Sequence, residues 1–398
     1  MTFEYRLTTV DQFKCLAGDC PASCCRGNWD IDVDTGTLQR WASLSDTEGR
    51  AQLVDSIWEK PSRGAPVQVL KKSAEGHCVH LDADNLCTIQ RSLGEHMLPQ
   101  TCRTYPRVLH ERNGVNVTAA TPSCPEIARL VVLGRLPEVR PVDDTPASAI
   151  SAADPVAAYL LDTLSATLAQ GKFPLRVKIV YLGRTLCRLA AMSARDQLGE
   201  QDLAALRGTL KQEMFDINVT VKNQRLRPDP AVAGAFWNML LRLADTRELL
   251  GPEARAQAGR RLPGLSDSRN KTAGELSAAY DELSTLHAEA HARPGAELDS
   301  ALHNYLLVSL LSRGFPLNPV GGNFVASFLS GIIAFSLVQL QSWLLTPVRG
   351  ALEAGELVEL IYRTERRIGH NTLIYRHLEQ NPELLHLDRY LDCLIDIA

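Results

Sequence analysis

Beyond Cys124 the sequence almost lacks cysteine: only Cys187 and Cys393 follow. It also lacks an excess of positive charge, with Lys+Arg 42 against Asp+Glu 46 and a net charge of -4. Nothing in that balance suggests a chain built to hold nucleic acid. No charge run or low-complexity tract stands out. The opening MTFEYRLTTVDQFKC is mixed and polar, with no basic leader, apolar segment and small-residue cleavage site. The expectation is therefore a cytoplasmic protein in a reducing compartment, where thiols persist.

What is present is a concentration of thiols near the amino terminus. Four cysteines, Cys15, Cys20, Cys24 and Cys25, stand in the run CLAGDCPASCC, and Cys78, Cys87, Cys102 and Cys124 follow. A chain of 398 residues with 45% hydrophobic content can bury an ordinary core without covalent help, so a disulfide scaffold is not required. Thiolate is a soft ligand, and four thiolates suit either tetrahedral zinc or an iron–sulfur cluster. The eight cysteines would fill two such sites, or one with spares. Adjacent Cys24 and Cys25 point in different directions, which makes it awkward for both to hold one mononuclear ion. Buried free thiols or a redox disulfide are the bland alternatives. His77 and His80, flanking Cys78, are candidate substitutes for a thiolate, whereas Cys187 and Cys393 read as core filler.

The texture changes along the chain. Up to about residue 128, short pieces such as WDIDVD and TLQRWASL are broken by Gly, Pro and Cys; PEIARLVVLGRL then reads as a helix, and PEVRPVDDTPASAISAADP as a connection. After it, apolar residues recur at helical spacing, as in Val232, Phe236, Met239, Leu240 and Leu243, or Leu302, Tyr305, Leu306, Ser309 and Leu310. Helix breaks fall at RLPGLSDSRN and SRGFPLNPVGG. The expected fold is mainly α: an irregular Cys-rich metal-binding module over residues 1–128, packed on an all-helical domain of eight to ten helices over residues 129–398. The uncharged run from Phe324 to Leu345 is long enough to cross a bilayer, yet its serines and glutamines favour a buried helix and no membrane.

Two signatures of cofactor chemistry are missing. No strand, glycine-rich turn and helix follow one another as in a Rossmann-like donor site. Nor is there the C-x3-C-x2-C triad of radical S-adenosylmethionine enzymes, because Cys25 follows Cys24 directly.

Three stretches together, FKCLAGDCPASCCRGNWDIDVDTGTLQRW, CVHLDADNLCTIQRSLGEHMLPQTCRTYPR and TPSCPEIARL, resemble the flagellin lysine-N-methylase family of bacteria, with looser likeness in HNYLLVSLLSRGFPL and RRIGHNTL. The cysteine order is also similar to a group of zinc- or iron-chelating proteins with a C-x2-C-x3-C-C motif. Four residues between Cys15 and Cys20, and the long helical extension, favour the methylase. The resemblance implies transfer of a methyl group from S-adenosylmethionine to surface lysines of flagellin, with an iron–sulfur cluster of the 4Fe-4S type. Cys15, Cys20, Cys24, Cys25, Cys78, Cys87, Cys102 and Cys124 fall on the family's cysteine pattern, without indicating which four bind. The alternative is a zinc- or iron-delivery protein whose helical domain binds a partner.

Methyl transfer needs a neutral lysine nitrogen, and from an ordinary pKa of about 10.4 deprotonation at pH 7 costs about 4.6 kcal/mol. An apolar pocket lowers that cost by desolvating the ammonium, whereas a carboxylate raises it. Tyr105 is the candidate lining or proton-relay residue, and Arg107 the candidate partner for the donor's carboxylate. Trp29 and Trp41 read as core, and His370 and Asn371 as a polar contact between domains.

Overall fold

A computed structural model describes residues 3–368, 374 and 378, leaving out 28, 46–48, 63, 143–153, 194–199, 223–228, 264–270, 293–295 and 318–323. The fold is mainly α. Contacts divide the chain into two units: Phe13–Val108 with Cys124–Glu126, and Met1–Gln12, Leu109–Ser123 and Ile127–Ala398. A sequence boundary at residue 128 thus differs from the contacts, which assign the first strand and the stretch before Cys124 to the helical unit. The reason is a mixed sheet that draws distant segments together.

That sheet has the order β4 (Arg107–Arg112), β5 (Val115–Ala120), β1 (Phe3–Leu7), β6 (Val139–Pro141). Asn113 and Gly114, with φ of 49° and 77°, close the β4–β5 hairpin, a turn whose two positive φ values favour the Asn-Gly pair. β1 runs parallel to β5 with Phe3 opposite Val115, and antiparallel to β6 with Tyr5 opposite Pro141. The stretch expected to be a bare connection therefore contributes an edge strand at Val139–Pro141, a position that tolerates proline because one ladder is unused.

Helices of this unit start at side-chain caps at Asp154, Asp229 and Thr272. Asp154 accepts from Ala157 N at 2.9 Å ahead of Pro155, opening α7 (Pro155–Leu168), and its second oxygen accepts from Arg112 Nε and Asn113 Nδ2. Then follow α8 (Leu175–Ser193), α9 (Glu200–Lys222), α10 (Pro230–Thr246), α11 (Pro252–Arg261), α12 (Ala273–His291), α13 (Ala296–Ser312), α14 (Phe324–Arg349) and α15 (Ala354–Ile368). Thr272 and Glu275 form a capping box at α12.

The run read as a possible span is α14, the central core helix. Its apolar window is 83% buried, and α10 to α13 and α15 pack on it. Its Gln341 amide finds internal partners: Nε2 donates to Leu337 O at 3.0 Å and to Thr364 Oγ1 at 2.9 Å. Beside it, Glu365 is fully buried and accepts from Arg313 Nη2 at 2.8 Å and Tyr305 OH at 2.6 Å. Burial and the Glu365 charge hold the Tyr305 phenol well above its ordinary range. Helix α10 approaches α12 closely at Gly234, where an added Cβ would fall on the Leu276 carbonyl.

In the cysteine-rich unit, α2 (Thr35–Ala42) buries Trp41, whose Nε1 donates to Met97 O at 2.8 Å. The helix read in TLQRWASL is thus present, whereas WDIDVD supplies a single bridge, Asp32 to Val69, and no full strand. Trp41 packs with Ile31, Val33, Leu53, Leu70, Cys78 and Ile89, and Trp29 lies half-buried against that core. A two-stranded ribbon, β2 (Ile57–Lys60) and β3 (Val67–Leu70), completes the unit with α3 (Arg50–Asp55), α4 (Thr88–Leu93) and α5 (Gln100–Thr104). The helix expected from PEIARLVVLGRL is α6 (Pro125–Leu133).

Candidate functional site

The cysteine-rich unit brings thiols from three distant stretches into mutual reach. Cys24 and Cys25 lie in a single 3-10 turn, Cys24–Arg26, opened by Ser23, whose Oγ accepts from Cys25 N at 3.2 Å. The Cys25 carbonyl accepts from Cys78 N at 2.8 Å, and Cys78 bridges back to Lys72 just after β3. Cys87 pairs with Leu81 in a second bridge and stands at the start of α4. Cys102 is on α5, whose first N–H, that of Gln100, donates to Asp34 Oδ2 at 2.8 Å.

Their electrostatics show how closely the sulfurs interact. Hydrogen bonding with Cys24 and Cys87 pushes the Cys25 thiol well up, helped by burial. The bond from Cys25 holds Cys87 below the ordinary thiol range against burial, with the N–H groups of Gln90 and Ile89 adding to it. Burial raises Cys102, and the nearby Cys24, Cys78 and Cys87 raise it further. Burial likewise raises Cys78, although the His80 N–H and the Lys72 ammonium oppose it. The shifts of Cys25 and Cys87 are opposite in direction and belong to one hydrogen-bonded pair, and the neighbouring sulfurs push Cys102 and Cys78 further up.

Thiols are the donor type of a soft metal centre. Ligating sulfurs must lose their protons, and a cation at their centre offsets the repulsion that otherwise keeps them protonated. Among the described residues, no three His, Cys, Asp or Glu side chains stand in a closed ligating arrangement.

The remaining candidates fall as follows. Cys15 is exposed, its sulfur accepting from Ala17 N at 3.4 Å; Cys20 is half-buried and Cys124 buried. Cys187 lies half-buried on α8, and Cys393, His370 and Asn371 lie outside the described residues. His77 closes a turn with Ser73, while the half-buried His80 ring faces Thr88 Oγ1 at 3.4 Å. Burial lowers the pKa of His80. The Tyr105 ring stands 6.0 Å from that of Trp29 at 36°, and the exposed Arg107 lies 5.3 Å over Phe13.

No family profile matches the chain, and no solved structure matches it. The lysine-N-methylase of Salmonella typhimurium is 31% identical over 124 residues, a stretch that makes up 31% of each chain. The enzyme of the same name from Salmonella choleraesuis matches equally. The flagellar biosynthetic protein FliU of Salmonella muenchen is 30% identical over 124 residues, 31% of this chain and 73% of that one. The chain belongs to the lysine-N-methylase family. It spans about a third of the length of the two lysine-N-methylases it matches.

In this lysine-N-methylase relative, two residues beside the thiols escaped the sequence reading. Lys72, whose Nζ donates to Gly27 O at 3.0 Å, biases Cys78 and Cys102 toward the thiolate. Asp34 joins α2 to the helix bearing Cys102. The Asp-Thr-Gly-Thr run around it signals a helix cap, but nothing local signals its long-range bond to Gln100.

Proposed function

We propose that this chain is a cytoplasmic protein lysine N-methyltransferase that acts on flagellin, takes its methyl group from S-adenosylmethionine and carries a 4Fe-4S cluster on its amino-terminal cysteines. The observation that carries the reading is the convergence of Cys24, Cys25, Cys78, Cys87 and Cys102 in a member of the lysine-N-methylase family. These thiols would hold the cluster, and when bound it supplies a positive centre with redox capacity.

The chemistry left to the chain is proton and substrate handling. The neutral lysine nitrogen attacks the sulfonium methyl carbon, the carbon–sulfur bond breaks toward sulfur, and the product ammonium later releases a proton. Desolvation must favour the neutral amine. Aromatic groups such as Trp29 and Tyr105 supply apolar surface without a carboxylate that would hold the ammonium charged.

Intact-mass spectrometry of flagellin co-expressed with the chain, under conditions that allow cluster assembly, tests the reading. Increments of one methylene on lysines are expected, lost in Cys87→Ser and Cys102→Ser. Unmodified flagellin beside iron-loaded protein would remove the methylase and favour metal delivery; colourless, zinc-loaded protein would remove the iron–sulfur cluster.

A further inference from the structure

Lys72 is a half-buried cation of the cysteine-rich unit that no carboxylate pairs with among the described residues. It faces Cys78 across a short antiparallel bridge. The bonds from Ser73 N to His77 O at 2.7 Å and from Val79 N to Lys71 O at 3.3 Å bracket that pair, the arrangement in which opposed side chains come closest. From there the Lys72 side chain crosses to a second thiol-bearing stretch. Its Nζ donates to Gly27 O at 3.0 Å, and Gly27 N donates to Cys24 O at 3.1 Å, closing the turn that carries Cys24 and Cys25. The ammonium therefore bridges the two stretches, whereas neighbouring Lys71 reaches the Asp55 carbonyl instead.

A bond to one carbonyl uses one N–H, and an ammonium has three. Among the described residues Gly27 O is the acceptor that Lys72 bonds. Its charge is felt by sulfur: it acts on Cys78, and on Cys102 from a third stretch. Gly27 is buried, and the Trp29 ring occupies the place its Cβ would take, so packing fixes the anchoring carbonyl.

We propose that Lys72 is the counter-cation of the thiol centre, anchored on the Gly27 carbonyl so that its charge offsets that of the sulfurs when they hold metal. The proposal rests on the reading of the cysteines as a metal centre. Thiolates around a metal core leave the site negative, and a fixed positive charge beside it disfavours loss of metal. Where the core is redox-active, the same charge favours the reduced form, which is more negative by one electron. Lys72 is thus a positioning residue that acts through the sulfurs.

The test takes the full chain, purified anaerobically with its metal, as wild type, Lys72→Gln, Lys72→Met and Lys72→Arg. Lys72→Gln keeps a neutral N–H for the Gly27 carbonyl without the charge, Lys72→Met removes both, and Lys72→Arg keeps both. In iron-loaded protein, dithionite supplies one electron to each cluster, and a redox titration followed by electron paramagnetic resonance reads the equilibrium. Lys72→Gln and Lys72→Met should each lower the constant for reduction by about tenfold, a shift of about 59 mV to lower potential, while Lys72→Arg stays with wild type. In zinc-loaded protein the first two variants should release metal to EDTA about tenfold more readily, and Lys72→Arg should not. Lys72→Gln equal to wild type in both measurements, or a loss confined to Lys72→Met, would leave only a structural hydrogen bond and overturn the proposal. Failure of all three variants to fold would do the same, and protein that holds neither iron nor zinc would overturn it together with the metal centre. Charge-dependent zinc retention in colourless protein would keep the role of Lys72 and remove the iron–sulfur cluster. A lowered potential beside flagellin that stays unmethylated would keep it and remove the methylase.

Discussion

The backbone N–H of Cys78 donates to the carbonyl of Cys25 at 2.8 Å, joining two cysteine stretches far apart in sequence through main chain alone. This bond registers the turn bearing Cys24 and Cys25 against the strand end bearing Cys78, independently of what the sulfurs hold. Removing a sulfur should therefore remove a ligand before it removes the register.

Cys24→Ser and Cys102→Ser should lose bound metal, because an alcohol oxygen is a poorer soft-metal ligand than thiolate. Cys187→Ala, on a helix of the other unit, should retain it. Metal analysis of anaerobically purified protein reads the difference, and equal content in all three would refute the thiol assignment.

Asp34 should give the cysteine-rich unit an acid-side limit. Burial pushes its pKa up, but hydrogen bonds from the Thr37 hydroxyl, Gln100 N and Thr37 N outweigh this and bring it to about 2 from 3.8. A depressed carboxylate contributes stability that is present above the unfolded value and lost as the pH falls from about 4 to about 2. Asp34→Ala should cost about 1 kcal/mol for the lost cap and flatten that part of the pH profile, read by chemical denaturation.

Trp41 is 1% exposed, so Trp41→Ala should destabilise its unit by about 3–5 kcal/mol. Trp41→Phe should cost about 1–3 kcal/mol, since Met97 O loses the indole donor. Near-ultraviolet circular dichroism during thermal unfolding follows both; a Phe variant as unstable as the Ala variant would contradict the packing account.

In the helical unit, Glu365→Ala leaves Arg313 buried without its carboxylate and should cost about 3–5 kcal/mol. The double variant Arg313→Met with Glu365→Leu should recover much of that loss, because no buried charge remains. Calorimetric unfolding of the single and double variants measures the recovery.

Gly234→Ala should cost about 1–3 kcal/mol, since its Cβ meets the Leu276 carbonyl and must push α10 from α12. Gly208→Ala, on exposed α9 with nothing within 4 Å, should instead stabilise by about 0.4–1 kcal/mol. The two melting curves should shift in opposite directions.

By itself the sequence determined the local things. The helical period around Phe236 and Leu240, the caps at Asp154 and Thr272, the apolar run of α14 and the thiol clustering are all set by neighbours a few residues apart. Family resemblance was likewise legible in the cysteine stretches. Tertiary structure decided what depends on distant segments. It paired Phe3 with Val115 and turned Val139–Pro141 from connection into edge strand, because hydrogen-bonded ladders leave no trace in spacing. It drew Cys24, Cys25, Cys78, Cys87 and Cys102 together and left Cys15 exposed, although all carry the same side chain. It also placed Trp58 in the open and Trp41 in the core, a distinction made by the face of the element each occupies and invisible in the indole itself.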